Sequence, residues 1–302
     1  MESLCDTGAG EGRVADRLGG MSIWEAASLI DFSADPELMD IWEKGEAQII
    51  QASARGVQID WESGGPRLET SSSWGVRYDP ERHLYLGMVN RVPVFACMGE
   101  GEHNLREAMV TLPDVEVECA VRAVALVQYH TSHPYCSQCG HLTVAGNLGR
   151  TRLCDSCGTV HFPRTDPAII VAITDEDDRI LLGHHEGWEE GRYSIFAGFV
   201  EAGESLEQAV CREVREEVDV RVADVRYQGS QPWPMPRSLM VGFTATASRR
   251  DPRPDGEEIT SARWFSRSEL RTAIREGKVV LPVSASIAYR LITAWYGESL
   301  PS

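Results

Sequence analysis

No stretch of this sequence carries the ~18–20 consecutive apolar residues that a membrane-spanning helix needs. Its first residues, Met1-Glu2-Ser3, show neither the basic region nor the apolar core of a secretory signal. Positive charge is scarce: 29 Lys and Arg against 46 Asp and Glu leave a net charge of −17. A surface so acidic repels nucleic-acid phosphates unless a local patch or a bound cation reverses the field, and it keeps the chain soluble. Cysteine is sparse too, eight in 302 residues, too few for a secreted disulfide scaffold. These absences predict a cytoplasmic protein without a membrane partner. What is present, 42% hydrophobic and 25% charged residues, is ordinary globular composition. The length suits about two domains and a small third unit.

Composition shifts divide the chain. Residues 1–20 are Gly-rich and read as a disordered leader, with Met21 an alternative start. Residues 21–131 read as an N-terminal α+β domain, with strand-like stretches at 84–89 and 92–96, a loop from Gly64 to Gly75 and a helix over 119–131. No chemical motif stands out there. Residues 132–163 hold a cysteine cluster, and residues 164–302 form the last unit. In that unit strands are expected at 168–173, 179–182, 194–199, 220–227 and 238–247, with one more ending at Trp264-Phe265. Helices are expected at 205–218, 266–276 and 284–295. Strands and helices intermix without a regular strand–helix–strand repeat, which predicts an α/β sandwich over a doubly wound sheet.

The cluster reads Cys136-x2-Cys139, fourteen residues, then Cys154-x2-Cys157. Each turn aims two thiolates at one point, and two turns supply the four ligands of tetrahedral zinc. Gly140 and Gly158 follow each pair, where a tight turn needs positive φ. A site closed by four protein ligands is structural. Basic residues in and beside this ribbon are few (Arg150, Arg152, Arg164), which argues against nucleic-acid binding by it.

The strongest signal is GFVEAGESLEQAVCREVREEVDV, residues 198–220. Ser205 and Gln208 make a helix-start capping box. At 100° per residue, Leu206, Ala209, Val210 and Val214 form the buried stripe, yet Glu213 and Glu217 fall in its middle and Glu216 borders it. Buried carboxylates need a cationic partner. Arg212 supplies one, and clustered carboxylates otherwise suit Mg²⁺ or Mn²⁺.

Gly198, Glu204 and the run Arg212-Glu213-Val214-Arg215-Glu216-Glu217 resemble the Nudix box of the Nudix hydrolases. The resemblance implies a Nudix α/β/α sandwich after the zinc ribbon and the mixed N-terminal domain. It implies that Glu213, Glu216 and Glu217 hold the catalytic metal, Glu217 being the most critical. Gly198, Glu204 and Arg212 support the loop–helix geometry, and the Ala197 carbonyl and Glu258 complete the site. The family's glycine after the final Glu pair is Asp219 here, at a position that asks for a left-handed conformation.

Downstream, Ser230-Gln-Pro-Trp-Pro-Met-Pro-Arg-Ser238 reads by composition as a stiff proline-rich turn or as an aromatic and polar binding surface. It is similar to the motif of the NADH pyrophosphatase branch of the family, with Met235 in place of a usual Phe. That likeness implies substrate contacts from Gln231, Trp233 and Ser238. It also implies a nicotinamide sandwiched by Phe162 and Phe199 from two subunits of a homodimer, ordinary core packing being the alternative for both. The implied activity is metal-dependent hydrolysis of NADH or NAD⁺ to nicotinamide mononucleotide and AMP, and removal of NAD caps from RNA 5′ ends. The rivals are a broad Nudix hydrolase acting on ADP-ribose, FAD or diadenosine compounds, and a zinc-ribbon nucleic-acid-binding regulator.

Overall fold

A computed structural model describes residues 38–62, 65–72, 75–247 and 251–301. The expected leader over residues 1–20 and the alternative start at Met21 lie outside the described residues. Helix α1 (Leu38–Glu43) is followed by strands β1 (Gln48–Ala52), β2 (Gly56–Val57), β3 (Ile59–Asp60), β4 (Arg67–Leu68), β5 (Thr70–Ser72), β6 (His83–Val89), β7 (Val92–Met98) and β8 (His103–Asn104). Helices α2 (Leu105–Thr111) and α3 (Asp114–Ser132) close this part. The sheet runs β6-β7-β1-β2-β8, with β5 also on β1. Part of the expected 64–75 loop is therefore strand. The expected helix at 119–131 starts earlier, at Asp114, because Pro113 suits the entry to a helix. Helix α2 was not foreseen; Asn104 caps it by accepting from the Arg106 amide at 2.8 Å.

Three short strands follow, β9 (Val144–Gly146), β10 (Thr151–Leu153) and β11 (Val160–His161), ordered β11-β10-β9. Arg152, 4% exposed, joins this ribbon to the N-terminal part. Its Nε and Nη2 donate to Thr143 Oγ1 at 2.7 Å and Thr143 O at 2.6 Å, and Nη1 lies 3.3 Å from Glu81. Nη1 also donates to His130 Nδ1 at 2.7 Å, so His130 Nε2 carries the proton it gives to Gly149 O at 2.6 Å. One of the few basic residues of the ribbon is thus spent on its docking.

The last sheet is built from β12 (Asp166–Thr174), β13 (Ile180–His185), β14 (Phe196–Phe199), β15 (Val222–Trp233), β16 (Ser238–Ala247) and β17 (Ile259–Phe265). Its order is β15-β16-β12-β13-β17, with β14 antiparallel to β12 and β16 parallel to it. Side chains alternate across a strand. Ile169, Val171 and Ile173 face one core with helix α4 (Leu206–Val218), while Ile170 and Ala172 face another with helices α5 (Arg267–Arg275) and α6 (Ile287–Tyr296). Burial on both faces explains why β12 reads as an unbroken apolar run. The result is the expected α/β/α sandwich. The β15 strand runs through Ser230–Trp233, so the turn of the proline-rich motif is confined to residues 234–237.

Candidate active site

Helix α4 begins at the predicted capping box: Ser205 Oγ accepts from the Gln208 amide at 3.2 Å, and Gln208 Oε1 from the Ser205 amide at 2.8 Å. It ends at Asp219, which takes the left-handed conformation at φ 52°, ψ 33°. Ala209, Val210, Val214 and Val218 are fully buried against the sheet. Each such valine contributes about 1.5–3 kcal/mol, which fixes the face that α4 turns inward. Glu217 is carried in with them to 6% exposure.

Arg212 organises the loop that enters the helix. Its Nε and Nη2 grip both oxygens of Glu204 at 2.9 and 2.8 Å, and Nη2 donates to Phe199 O at 2.9 Å. Nη1 reaches Glu213 at 2.9 Å and Glu216 at 3.2 Å. This fork holds the Glu204 carboxyl below the usual range. Burial raises Glu213 despite the Arg212 charge beside it. Gly198 supplies the room. A Cβ there would sit 2.0 Å from the Glu213 carboxyl carbon, so β14 and α4 approach this closely through a residue without a side chain.

Glu217 is pushed up to about 8, first by burial and then by the negative charges of Glu213, Glu258, Asp255 and Glu216. Its Oε2 is buried with no hydrogen-bond partner. Asp255 is a residue that sequence reasoning missed. Its carboxylate accepts from the amides of Glu257, Glu258 and Ile259, and its own amide donates to Glu217 O at 3.0 Å. It therefore sets the start of β17, and with it Glu258, against the end of α4. The Asp255-Gly256 turn dipeptide was the available signal.

The donor set is all oxygen, negative and partly dehydrated, and one buried carboxylate atom lacks a partner. A hard divalent cation suits that chemistry. Exposed Glu216 is drawn outward to Arg212 and Glu258 is exposed, so the carboxylates stand looser than the sulfurs described next. Ala197 lies in β14, paired with Ile170.

Among the described residues, Cys136, Cys139, Cys154 and Cys157 form the one group of three or more potential ligand atoms lying within 4.8 Å of one another. The Sγ–Sγ separations are 3.6, 3.5 and 3.4 Å for 136–157, 139–154 and 139–157. Zn–S bonds of about 2.3 Å give tetrahedral edges of roughly 3.8 Å, so the quartet fits zinc closely. Gly140 and Gly158 have φ of 77° and 74°, as the turns require. His161 Nε2 lies 3.2 Å from Cys136 Sγ, an unforeseen neighbour of the site.

The substrate-side residues divide. Gln231 is fully buried, donating to Ala285 O at 2.8 Å and accepting from the Ile287 amide at 2.6 Å. Its amide holds β15 to the segment that starts α6. Ser238 is buried at the start of β16. Trp233 and Met235 pack against the N-terminal core. Phe162 and Phe199 stand 67% and 57% exposed, against the core-packing alternative.

A family model described as the NUDIX domain matches residues 164–282. The chain is similar to the NAD-capped RNA hydrolase NudC of Mycobacterium bovis, at 41% identity over 206 residues, 64% of each chain. The same figures hold for NudC of Mycobacterium tuberculosis. NudC of Shigella boydii is 37% identical over 214 residues, 70% of this chain and 80% of that protein. The chain thus spans about two thirds of the length of its mycobacterial relatives, 64%.

Proposed function

Because the chain belongs to the Nudix hydrolase family, we propose that it hydrolyses the diphosphate of NADH and NAD⁺, and of the NAD cap on RNA. Water adds to one phosphorus and the P–O–P bond breaks, giving nicotinamide mononucleotide and AMP, or the 5′-monophosphate RNA. The observation that carries this is Glu217: a carboxylate with an unpartnered buried oxygen, surrounded by four further acids. The named activity of the relatives supports the substrate.

Glu213, Glu216, Glu217 and Glu258, with the Ala197 carbonyl, would hold Mg²⁺ or Mn²⁺. When bound, such a cation neutralises charge on the diphosphate and acidifies the attacking water. The chain's own residues prepare the place. Arg212 orients Glu213 and ties the loop to the helix. Asp255 positions the backbone of Glu258. Without a cation Glu217 holds a proton near neutral pH, and it is the group whose charge state the site decides.

Zinc in the cysteine quartet is structural in this reading. Cysteines that are few and of which four gather in the zinc quartet support a reducing, cytoplasmic setting. Exposed Phe162 and Phe199, with the outward row Val144, Leu153 and Val160 on the ribbon sheet, support a homodimer that shares the nicotinamide site. The test is a panel of NADH, NAD⁺, ADP-ribose and NAD-capped RNA in Mg²⁺ and in Mn²⁺, with products identified by chromatography. Nicotinamide mononucleotide from NADH and from capped RNA is expected. Preference for ADP-ribose would move the assignment to a broad hydrolase, and RNA binding without turnover to the regulator.

A further inference from the structure

In a chain of net charge −17, one cavity reverses the sign. It has a volume of about 830 Å³ and lies between the N-terminal sheet and the β15–β16 hairpin, and its lining includes Arg55, Arg106, Arg164 and Arg237 but no Asp or Glu. Arg237 is neutralised by Asp166 at 2.6 Å. Arg55, Arg106 and Arg164 have no ion pair among the described residues. They come from three places distant in sequence: the β1–β2 turn, helix α2 and the segment that leads from the ribbon into β12.

The walls are fixed to one another. Gln128 on α3 donates from Nε2 to Ala54 O at 2.7 Å and to Pro234 O at 2.8 Å, bridging the N-terminal sheet to the hairpin tip. The Arg106 guanidinium lies 5.9 Å from the centroid of the Trp233 ring. Guanidinium groups grip phosphates, and the volume is that of a ligand site.

Sheet register places the cavity relative to the carboxylates. Phe199, at the end of the box strand, pairs with Ala168, which pairs with Met240, which pairs with Gln231. Three strand spacings make roughly 14 Å. The neighbours Leu239 and Pro232 line the cavity. The cavity and its arginines thus stand at the same end of the sheet as the exit of the box strand.

We propose that this cavity takes the phosphodiester backbone of a single-stranded RNA whose 5′ dinucleotide lies at the carboxylates. The inference rests on the hydrolase reading above and adds the path of the RNA. A free nucleotide offers the same phosphate and base chemistry, and the experiment separates the two sources.

The variants are Arg55→Gln, Arg164→Gln and their double, with Arg164→Lys as the charge-preserving control. A fluorescent, uncapped single-stranded RNA reports binding by anisotropy across a salt series, and kcat/KM is measured on NADH and on NAD-capped RNA. The double variant is expected to lose about tenfold or more in RNA binding and in kcat/KM on capped RNA. Its salt slope should fall by about 0.7 for each phosphate contact removed. NADH hydrolysis is expected to stay within twofold of wild type, and Arg164→Lys to keep most of the affinity. Unchanged kinetics on capped RNA, or equal losses on NADH and capped RNA, would overturn the proposal. So would displacement of the RNA by AMP with no gain in affinity as the RNA is lengthened, which assigns the cavity to a free nucleotide. A wild type inert toward NADH would sink the hydrolase reading alone, because uncapped RNA binding is read without turnover.

Discussion

The Glu213 carboxyl fills the space that a side chain on Gly198 would need: a methyl group there would lie 2.0 Å from its carboxyl carbon. The φ of Gly198 is not positive, so alanine is acceptable to the backbone and the collision falls on the carboxylate alone. We predict that Gly198→Ala displaces Glu213 from Arg212 and lowers kcat at least tenfold. Overpacking of this kind costs roughly 1–3 kcal/mol, so the fold should survive. Steady-state kinetics and a thermal melt on the same preparation check this. Wild-type kcat would show that the position of Glu213 is not limiting.

Glu217 gives a pH dependence of defined sign. Its folded-state value, about 8, stands above the roughly 4.3 of an unfolded glutamate. The folded chain therefore binds the extra proton, so this group's contribution is full below the unfolded value and is lost as pH rises toward 8. In zinc-loaded protein freed of Mg²⁺, Tm should fall between pH 5.5 and 8 by more in wild type than in Glu217→Gln. Added Mg²⁺ should raise the wild-type Tm more at pH 8 than at pH 5.5. Identical pH profiles for the two proteins would refute the assignment. Glu217→Gln should also reduce turnover by orders of magnitude while remaining folded.

The ribbon offers two separable changes. Cys139→Ser removes a zinc ligand, and zinc release with a lowered Tm is expected, because a closed site folds around its ion. Arg152→Ala leaves the sulfurs alone but strips partners from His130 and Thr143. It should retain zinc while losing on the order of 3 kcal/mol in urea denaturation. Metal analysis beside the unfolding curves distinguishes them; zinc loss from Arg152→Ala would mean that docking and metal binding are one event.

Gln231 and Trp233 are neighbours in one motif with different predicted effects. Gln231→Ala unpairs Ala285 O and the Ile287 amide, and is expected to lower Tm more than it changes KM. Trp233→Ala should depress kcat/KM for NADH roughly ten- to a hundredfold, with a different loss on ADP-ribose, which lacks the nicotinamide base. Equal losses on both substrates with an unaltered melting curve would remove Trp233 from nicotinamide selectivity.

What the sequence determined by itself is whatever depends on neighbours within one or two turns of chain. The two CxxC turns with their glycines, the Ser205–Gln208 box and the left-handed Asp219 follow from local backbone geometry. So does the entry of Glu213 and Glu217 into an apolar stripe, since 100° per residue is a property of any α-helix. Tertiary structure decided the rest, because each remaining feature is a contact between segments whose separation carries no period. Glu213 needs the bare Cα of Gly198 on another element, and Glu258 takes its place from Asp255, which also binds the end of α4. That the Gln231 amide ties β15 to Ala285 and Ile287, more than fifty residues later, is likewise visible only in the fold. Arg55, Arg106 and Arg164 are unremarkable in a list of residues; folding brings them around one cavity, and the exclusion of every carboxylate from its wall gives an acidic protein a place for phosphate.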